Sequence, residues 1–259
     1  MQTARLSLTI FENKHPLSNT TPLWFFDLDN TLHNASHAIF PAINANMNAY
    51  MGQVLGDGTT PADAETVNAT RLMYWKRYGA TLLGMVRHHA VREEDFLREA
   101  HRFDDLHGMI RAERGLARLL KRLPGRKILL TNAPRQYSRQ VMRHLGLHRH
   151  FAEHIPIESM RVHGKLRPKP SRQLLRKLLT RERISARRCI LVEDSPANLK
   201  AAKTVGLRTV WLTRYLAVPV GWPGQSVASA PSNFIKRPIY VDVKVKSLQQ
   251  LCASLHRLR

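Results

Sequence analysis

The stretch LWFFDLDNT (residues 23–31) runs from four large apolar side chains directly into two carboxylates. A short apolar run of this kind predicts a buried β-strand. On the extended segment that follows, Asp27 and Asp29 are two residues apart, so their side chains point to the same side. Two adjacent carboxylates repel each other unless a cation or a shared proton lies between them. Although Asp and Asn also favour turns, this stretch predicts a strand that ends at a chemically active site.

Further apolar runs alternate with helical segments after residue 121. Strands are predicted at KILL (127–130), near 154–157, at CILV (189–192), at RTVWL (208–212) and at 239–245. Helices are predicted over 135–145, 171–180, 196–205 and 247–255. Strands that alternate with helices are typical of an α/β fold, here a Rossmann-like core with a mostly parallel sheet.

Residues 33–120 interrupt this alternation, because their apolar side chains recur only at helical spacing. Helices are predicted over 36–55, 61–78 and 92–122, the last broken near His107-Gly108. We therefore predict an α-helical cap inserted after the first strand. The predicted domains are a flexible leader over 1–22, the α/β core over 23–32 and 121–259, and the helical cap over 33–120. The proline-rich residues 217–238 are predicted to form a loop or linker.

The composition is typical of a globular protein. Of 259 residues, 43% are hydrophobic, which is enough to bury a sizeable core. No stretch reaches the roughly 20 apolar residues that a membrane span needs, and the first 22 residues lack the apolar core of a secretory signal. Two cysteines cannot form a disulfide framework or a four-cysteine zinc site. We therefore predict a cytoplasmic location and no membrane partner.

The charge is strongly positive, with 41 Lys and Arg against 19 Asp and Glu and a formal net charge of +22. Such a surface attracts nucleic acid and phosphorylated small molecules. An arginine-rich source proteome explains the same excess on an ordinary solvated surface, and the chain carries no recognised nucleic-acid-binding motif. Nucleic acid is therefore a less favoured partner than a small phosphorylated substrate.

Polar side chains follow three of the predicted strands. The carboxylate pair lies within 23–31, Thr131 and Asn132 follow KILL, and Glu193 and Asp194 follow CILV. Because ligands bind at the carboxyl ends of the strands in an open parallel sheet, these clusters are expected to meet at one edge. With Asp194 beside the first two carboxylates, a hard divalent cation with oxygen ligands is expected, and Mg²⁺ fits best.

Four short motifs resemble those of the haloacid dehalogenase (HAD) superfamily, in the same order. They are DLDNTL (27–32), Thr131 after KILL, Lys169 in RPKPS (167–171), and VEDSPANLKAAKTVGLRTV (192–210). Together they cover roughly residues 23–216. Because the second carboxylate, Asp29, is present, the resemblance implies a phosphohydrolase rather than a dehalogenase.

The resemblance also implies a role for each site residue. Asp27 would attack phosphorus and form an aspartyl-phosphate. Asp29 would protonate the leaving oxygen and then take a proton from the water that breaks the intermediate. Thr131 and Lys169 would bind the non-bridging phosphoryl oxygens, although Lys165, four residues earlier, competes with Lys169 for that role.

A Mg²⁺ ion is implied as the cofactor, held by Asp27, by the backbone carbonyl of Asp29 and by Asp194. Glu193 is interpreted either as a further ligand or as a residue that orients a metal-bound water. Asn132 is expected either to line the substrate site or simply to begin the following turn.

A further segment, RLMYWKRYGATLLG (71–84) followed by His88-His89, is similar to the cap of the pyrimidine 5′-nucleotidase branch. This similarity implies pyrimidine nucleoside 5′-monophosphates as substrates. Arg71, Tyr74 and Tyr78 fall at helical spacing, which is consistent either with packing inside the cap or with stacking on a base. The alternatives are a phosphatase or phosphomutase for sugar or other small phosphates, and a basic nucleic-acid-binding protein on the same fold. The oligomeric state is not predicted.

Overall fold

The first apolar run of the chain forms strand β1 (Leu23–Phe26) at the centre of a parallel sheet. The structure, a computed structural model, describes residues 21–216 and 236–258. The remaining strands are β2 (Arg126–Leu130), β3 (Glu153–Ile155), β4 (Arg161–Val162), β5 (Lys165–Leu166), β6 (Cys189–Glu193), β7 (Arg208–Leu212) and β8 (Val243–Val245). Six of the strands form one sheet in the order β3-β2-β1-β6-β7-β8, and β4 and β5 form a separate antiparallel hairpin.

The helices surround this sheet and confirm the predicted α/β fold class. They are α1 (Ile39–Leu55), α2 (Ala64–Tyr78), α3 (Thr81–His88), α4 (Glu93–Ala100), α5 (Leu106–Met109), α6 (Leu116–Arg122), α7 (Arg135–His144), α8 (Arg172–Glu182), α9 (Pro196–Val205) and α10 (Leu248–Ala253). Helices α1 to α5 all lie between β1 and β2 in the sequence, within the predicted cap (residues 33–120). The predicted domain boundaries themselves stay a prediction.

Strand β1 divides the core into two layers because successive side chains of a strand point to opposite faces. Trp24 and Phe26 pack in one apolar cluster with helices of the predicted cap, α6, α7 and α10. Leu23 and Phe25 pack in the other cluster with residues of α8 and α9. All four side chains are almost fully buried, so the strand is apolar on both faces, as expected of a central parallel strand.

The position of β1 between β2 and β6 brings the chemical motifs together. Phe26 is in register with Leu129 of β2 and with Val192 of β6, and all three strands run parallel. The residues that follow these strands therefore emerge side by side at one edge of the sheet. The chain order reverses at β1, which makes this edge a topological switch point, where such sheets bind ligands.

The predicted helix over 92–122 with a single break near His107-Gly108 is wrong. The segment forms α4, α5 and α6, and the His107-Gly108 pair lies inside α5. Asp105 begins α5 by accepting a hydrogen bond from the backbone N–H of Gly108. Gly115, with φ of 77°, precedes α6, a backbone conformation that glycine adopts without strain. Helix α3 was not predicted; it starts two residues after Gly79, whose positive φ ends α2.

The other predicted elements are confirmed with adjusted ends. The predicted helix over 61–78 begins only at Ala64, because the Asp63 side chain accepts a hydrogen bond from the backbone N–H of Thr66 and caps it. The predicted strand over 239–245 is limited to its last three residues, and Ile239 is exposed. Residues 1–20 of the predicted leader and residues 217–235 of the predicted linker lie outside the described residues. Among the described residues, no helix is both long and apolar enough to cross a membrane.

Candidate active site

A buried lysine lies between two carboxylates at the edge of the sheet. Lys169 Nζ donates hydrogen bonds to Asp27 Oδ1 at 2.6 Å and to Glu193 Oε2 at 2.7 Å. Asp27 directly follows β1 and Glu193 ends β6, so the neighbouring strands place the two carboxylates on either side of the ammonium group. All three side chains are buried, and the carboxylates raise the pKa of Lys169 despite its burial. The lysine is therefore charged at neutral pH.

Three carboxylates lie close enough to one another, beside Lys169, to share one cation. Ligand oxygens of Asp27, Glu193 and Asp194 all lie within 4.8 Å of one another. Burial, followed by the like charge of Glu193, raises the pKa of Asp27 from 3.8 to about 7, and the same two effects raise the pKa of Asp194 well above its usual range. A divalent cation would relieve the mutual repulsion of these three carboxylates, which face a single lysine. An all-oxygen donor set suits a hard ion such as Mg²⁺.

The structure distinguishes between the two candidate lysines. Lys169 is 5% exposed and reaches Asp27, whereas Lys165 lies on β5 with an exposed side chain. Only the first of the two therefore has its charge inside the carboxylate cluster.

Asn132 is placed where it holds the lysine segment. Its Nδ2 donates to the backbone carbonyl of Lys169 at 3.0 Å, and its Oδ1 accepts from the backbone N–H of Lys169 at 2.9 Å. The side-chain amide of Asn132 thus bonds to both backbone polar groups of Lys169. These bonds connect the residues after β2 to the segment before α8. The predicted contact of Asn132 with substrate stays a prediction. Thr131 is buried at the end of β2, and its Oγ1 accepts from the backbone N–H of Ala133.

The carboxylate of Asp29 has different neighbours from that of Asp27. Asp29 Oδ1 accepts hydrogen bonds from the hydroxyl of Tyr137 at 2.6 Å and from His33 Nε2 at 2.8 Å. Burial alone would raise the pKa of Asp29, but the hydrogen bonds of His33 and Tyr137 outweigh it and lower that pKa. The side chain of Asp29 is thus not a member of the three-carboxylate group, and its predicted contribution through the backbone carbonyl stays a prediction.

Several residues that complete the site were not predicted from the sequence. Thr31 donates from Oγ1 to Asp27 Oδ2 at 3.2 Å, and Trp211 donates from Nε1 to the backbone carbonyl of Asp194 at 2.8 Å. Thr31 lies in the quoted motif and could have been assigned a contact with Asp27. The contacts of Tyr137 with Asp29 and of Trp211 with Asp194 could not be predicted from local sequence, because the partners are distant along the chain.

The three predicted substrate-binding residues on α2 form hydrogen bonds with other side chains of the predicted cap. Arg71 donates to the side-chain oxygens of Asn44 and Asn48 of α1 and is buried. The hydroxyls of Tyr74 and Tyr78 lie 2.6 Å from Nε2 of His89 and of His88, respectively. These contacts favour a packing role for Arg71, and substrate binding by the three residues stays a prediction.

The fold and the carboxylate cluster define an α/β protein whose site lies at the carboxyl edge of a parallel sheet. The class can be narrowed to a family, because residues 23–206 match the model of the haloacid dehalogenase-like hydrolases. The chain belongs to this family.

Several solved structures are similar to the chain over nearly its whole length. A HAD phosphatase from Thermococcus onnurineus is 16% identical, with a TM-score of 0.56 over 90% of this chain and 97% of its own. A HAD-superfamily hydrolase of subfamily IA from Geobacter sulfurreducens is 17% identical, with a TM-score of 0.51 over 92% and 99%. The L-2-haloacid dehalogenase from Xanthobacter autotrophicus is 16% identical, with a TM-score of 0.53 over 91% and 98%. At these identities the likeness shows a common fold.

Proposed function

We propose that the protein is a Mg²⁺-dependent phosphomonoester hydrolase that acts through an aspartyl-phosphate. The observation that carries this proposal is the presence of two carboxylates, two residues apart, in different surroundings. Asp27 faces a lysine and two further carboxylates, whereas Asp29 accepts hydrogen bonds from Tyr137 and His33. This difference supports assigning the attack to Asp27 and the proton transfer to Asp29, a division of roles that phosphoryl transfer with an acid and a base requires.

The reaction runs in two halves that use the same carboxylates. Asp27 attacks phosphorus, so that a carboxylate oxygen–phosphorus bond forms while the ester oxygen–phosphorus bond breaks. Asp29, whose lowered pKa leaves it ionised in the free protein, takes up a proton from solvent before this step and passes it to the departing ester oxygen. Water then attacks the aspartyl-phosphate, Asp29 takes a proton from that water, and Asp27 is regenerated as phosphate leaves. Lys169 Nζ, 2.6 Å from Asp27, lies where it can offset charge on the phosphoryl oxygens.

Asp27, Asp194 and Glu193 are the residues that would hold Mg²⁺. When bound, the ion would neutralise charge that develops on the transferred phosphoryl group. Both oxygens of Glu193 already accept hydrogen bonds, one from Lys169 and one from the backbone N–H of Ser195. Asp27 shows the same pattern, with Lys169 on Oδ1 and Thr31 on Oδ2. We therefore propose all three carboxylates as the group that would hold the ion.

Pyrimidine nucleoside 5′-monophosphates are the substrates that we propose. The support comes from the aromatic side chains on α2 and their neighbours on α3. The ring of Tyr78 has the guanidinium groups of Arg77 and Arg87 at 5.5 and 5.7 Å, and the ring of Tyr74 stacks on His88. Aromatic rings beside cations can stack on a base.

The free thiols Cys189 and Cys252 suit a reducing compartment, which supports a cytoplasmic location.

We expect Mg²⁺-dependent phosphate release from UMP and CMP in a panel that also contains AMP, sugar phosphates and an aryl phosphate. Free phosphate is measured with Mg²⁺ and with EDTA, beside the Asp27→Asn variant as the inactive control. Release mainly from UMP and CMP supports the nucleotidase proposal. Release mainly from a sugar phosphate contradicts the substrate class and keeps the hydrolase. The hydrolase itself is contradicted by no Mg²⁺-dependent release from any ester.

Mg²⁺ affinity should fall about tenfold between pH 8 and pH 6. Since the pKa of Asp27 is raised to about 7, this carboxyl is mostly protonated at pH 6, and the proton competes with the ion. Isothermal titration calorimetry at the two pH values measures the change. Asp194→Asn should bind weakly at both, and the exposed Asp104→Asn should follow the wild type. A constant affinity over this range would contradict Asp27 as a ligand.

A further inference from the structure

The two hydrogen-bond donors to Asp29 converge on the same oxygen. The hydroxyl of Tyr137 and Nε2 of His33 both reach Oδ1, at 2.6 and 2.8 Å, and the two donors are 3.4 Å apart. A carboxylate oxygen accepts but does not donate, so Nε2 of His33 carries a hydrogen. No described residue donates to Oδ2 of Asp29. Within the described part of the chain, the carboxyl therefore has one anchored oxygen and one oxygen without a donor.

Both donors are held rigidly at the junction between the core and the predicted cap. His33 is fully buried, on the segment that leads from β1 towards α1. Tyr137 is 2% exposed on α7, and its ring packs against His101 and Phe103, with centroids at 5.4 and 5.7 Å. His101 is itself fixed, because its Nδ1 lies 2.9 Å from the carbonyl oxygen of Leu97. Side chains of the predicted cap thus help to place the hydroxyl that bonds to Asp29.

We propose that Tyr137 and His33 are positioning residues that hold Asp29 through Oδ1, so that Oδ2 carries the transferred proton. This inference rests on the proposed phosphohydrolase function. In the first half-reaction the Oδ2–H bond breaks as the proton goes to the leaving oxygen, and Oδ1 keeps both of its donors. In the second half-reaction Oδ2 takes a proton from the attacking water. The carboxyl acts twice without rotating, because the anchored oxygen is never the reacting one.

The inference predicts a dependence on the leaving group. An alkyl alcohol is a poor leaving group without a proton, whereas 4-nitrophenol leaves readily as its anion. Loss of the Tyr137 hydroxyl misplaces the acid and should therefore impair alkyl esters selectively. The ratio kcat/KM is the appropriate quantity, because it covers only the steps through release of the alcohol.

The test compares UMP with 4-nitrophenyl phosphate in four proteins: wild type, Tyr137→Phe, Asp29→Asn and the double variant. If UMP is not hydrolysed, glycerol 3-phosphate takes its place. We expect Tyr137→Phe to lower kcat/KM about 10- to 100-fold for the alkyl ester and at most about threefold for the aryl ester. In the Asp29→Asn background the second change should add almost nothing, since the residue acts only through Asp29.

A second pair of variants covers the case in which Tyr137→Phe does not fold. His33→Leu should give the same selective loss, and His33→Gln should restore most of the activity because its amide can donate to Oδ1. Tyr50→Phe is the matched control, because Tyr50 lies on α1 with its ring against Phe96. Circular dichroism and melting temperature establish the fold of each variant.

The outcomes separate this inference from the proposed function. Equal losses for both esters, or additive losses in the double variant, overturn the inference and leave the hydrolase intact. An inactive wild type, or an active Asp27→Asn variant, overturns the proposed function and the inference with it. Selective, non-additive loss supports both.

Discussion

Asp27→Asn should abolish phosphate release, with a loss of about four orders of magnitude or more in kcat. The amide keeps the shape of the carboxylate but cannot attack phosphorus or stabilise the resulting ester. Steady-state phosphate release with Mg²⁺ measures the loss, and the exposed Asp104→Asn is the matched control that should retain wild-type activity. An Asp27→Asn variant with substantial turnover would rule out Asp27 as the nucleophile.

The same substitution should stabilise the metal-free protein at pH 8. Burial and Glu193 raise the pKa of Asp27 from 3.8 to about 7, so the folded state binds this proton more tightly than the unfolded state. The stability that it contributes is therefore present below about pH 4 and is lost as the pH rises through about 7. At pH 8 the asparagine removes a buried charge while Lys169 keeps Glu193 as its partner, and the melting temperature in EDTA should rise by about 3–6 °C. At pH 5, where Asp27 is protonated, the two proteins should melt at similar temperatures.

Lys169→Met should reduce kcat by about 10²- to 10³-fold, because the variant loses the charge that faces the transferred phosphoryl group. It should also destabilise the metal-free protein, since Asp27 and Glu193 lose the cation between them. Removing one partner from a buried ion pair costs about 3–5 kcal/mol. A fall in melting temperature on the order of 10 °C is therefore expected in EDTA.

The Lys169→Met prediction has two controls, which are the addition of Mg²⁺ and the Lys165→Met variant. Mg²⁺ should recover part of the lost melting temperature, because the ion supplies positive charge to the same carboxylates. Lys165→Met, four residues away and exposed on β5, should change neither kcat nor the melting temperature noticeably. If Lys165→Met were the inactive variant, the assignment of the phosphate-binding lysine would be wrong.

The strands and the acidic side chains that follow them could be predicted because their signals are local. Each of β1, β2 and β6 is a run of apolar residues that stops at a polar one, and parallel pairing brings such ends to one edge whatever the details of packing. Asp27 and Asp194 therefore meet, as expected. The helices between β1 and β2 were predicted less well. Four-residue α5 and eight-residue α3 are too short for their periodicity to stand out.

By itself, the sequence determined that carboxylates would gather at the end of a central strand, because each apolar run and the polar residues that follow it can be recognised locally. Only the tertiary structure showed that Lys169, the predicted phosphate-binding lysine, is buried among them while Lys165 is exposed. Only the tertiary structure brought Tyr137 to Asp29, 108 residues away. Contacts of this kind follow from the packing of α7 against the predicted cap, and no local periodicity carries them.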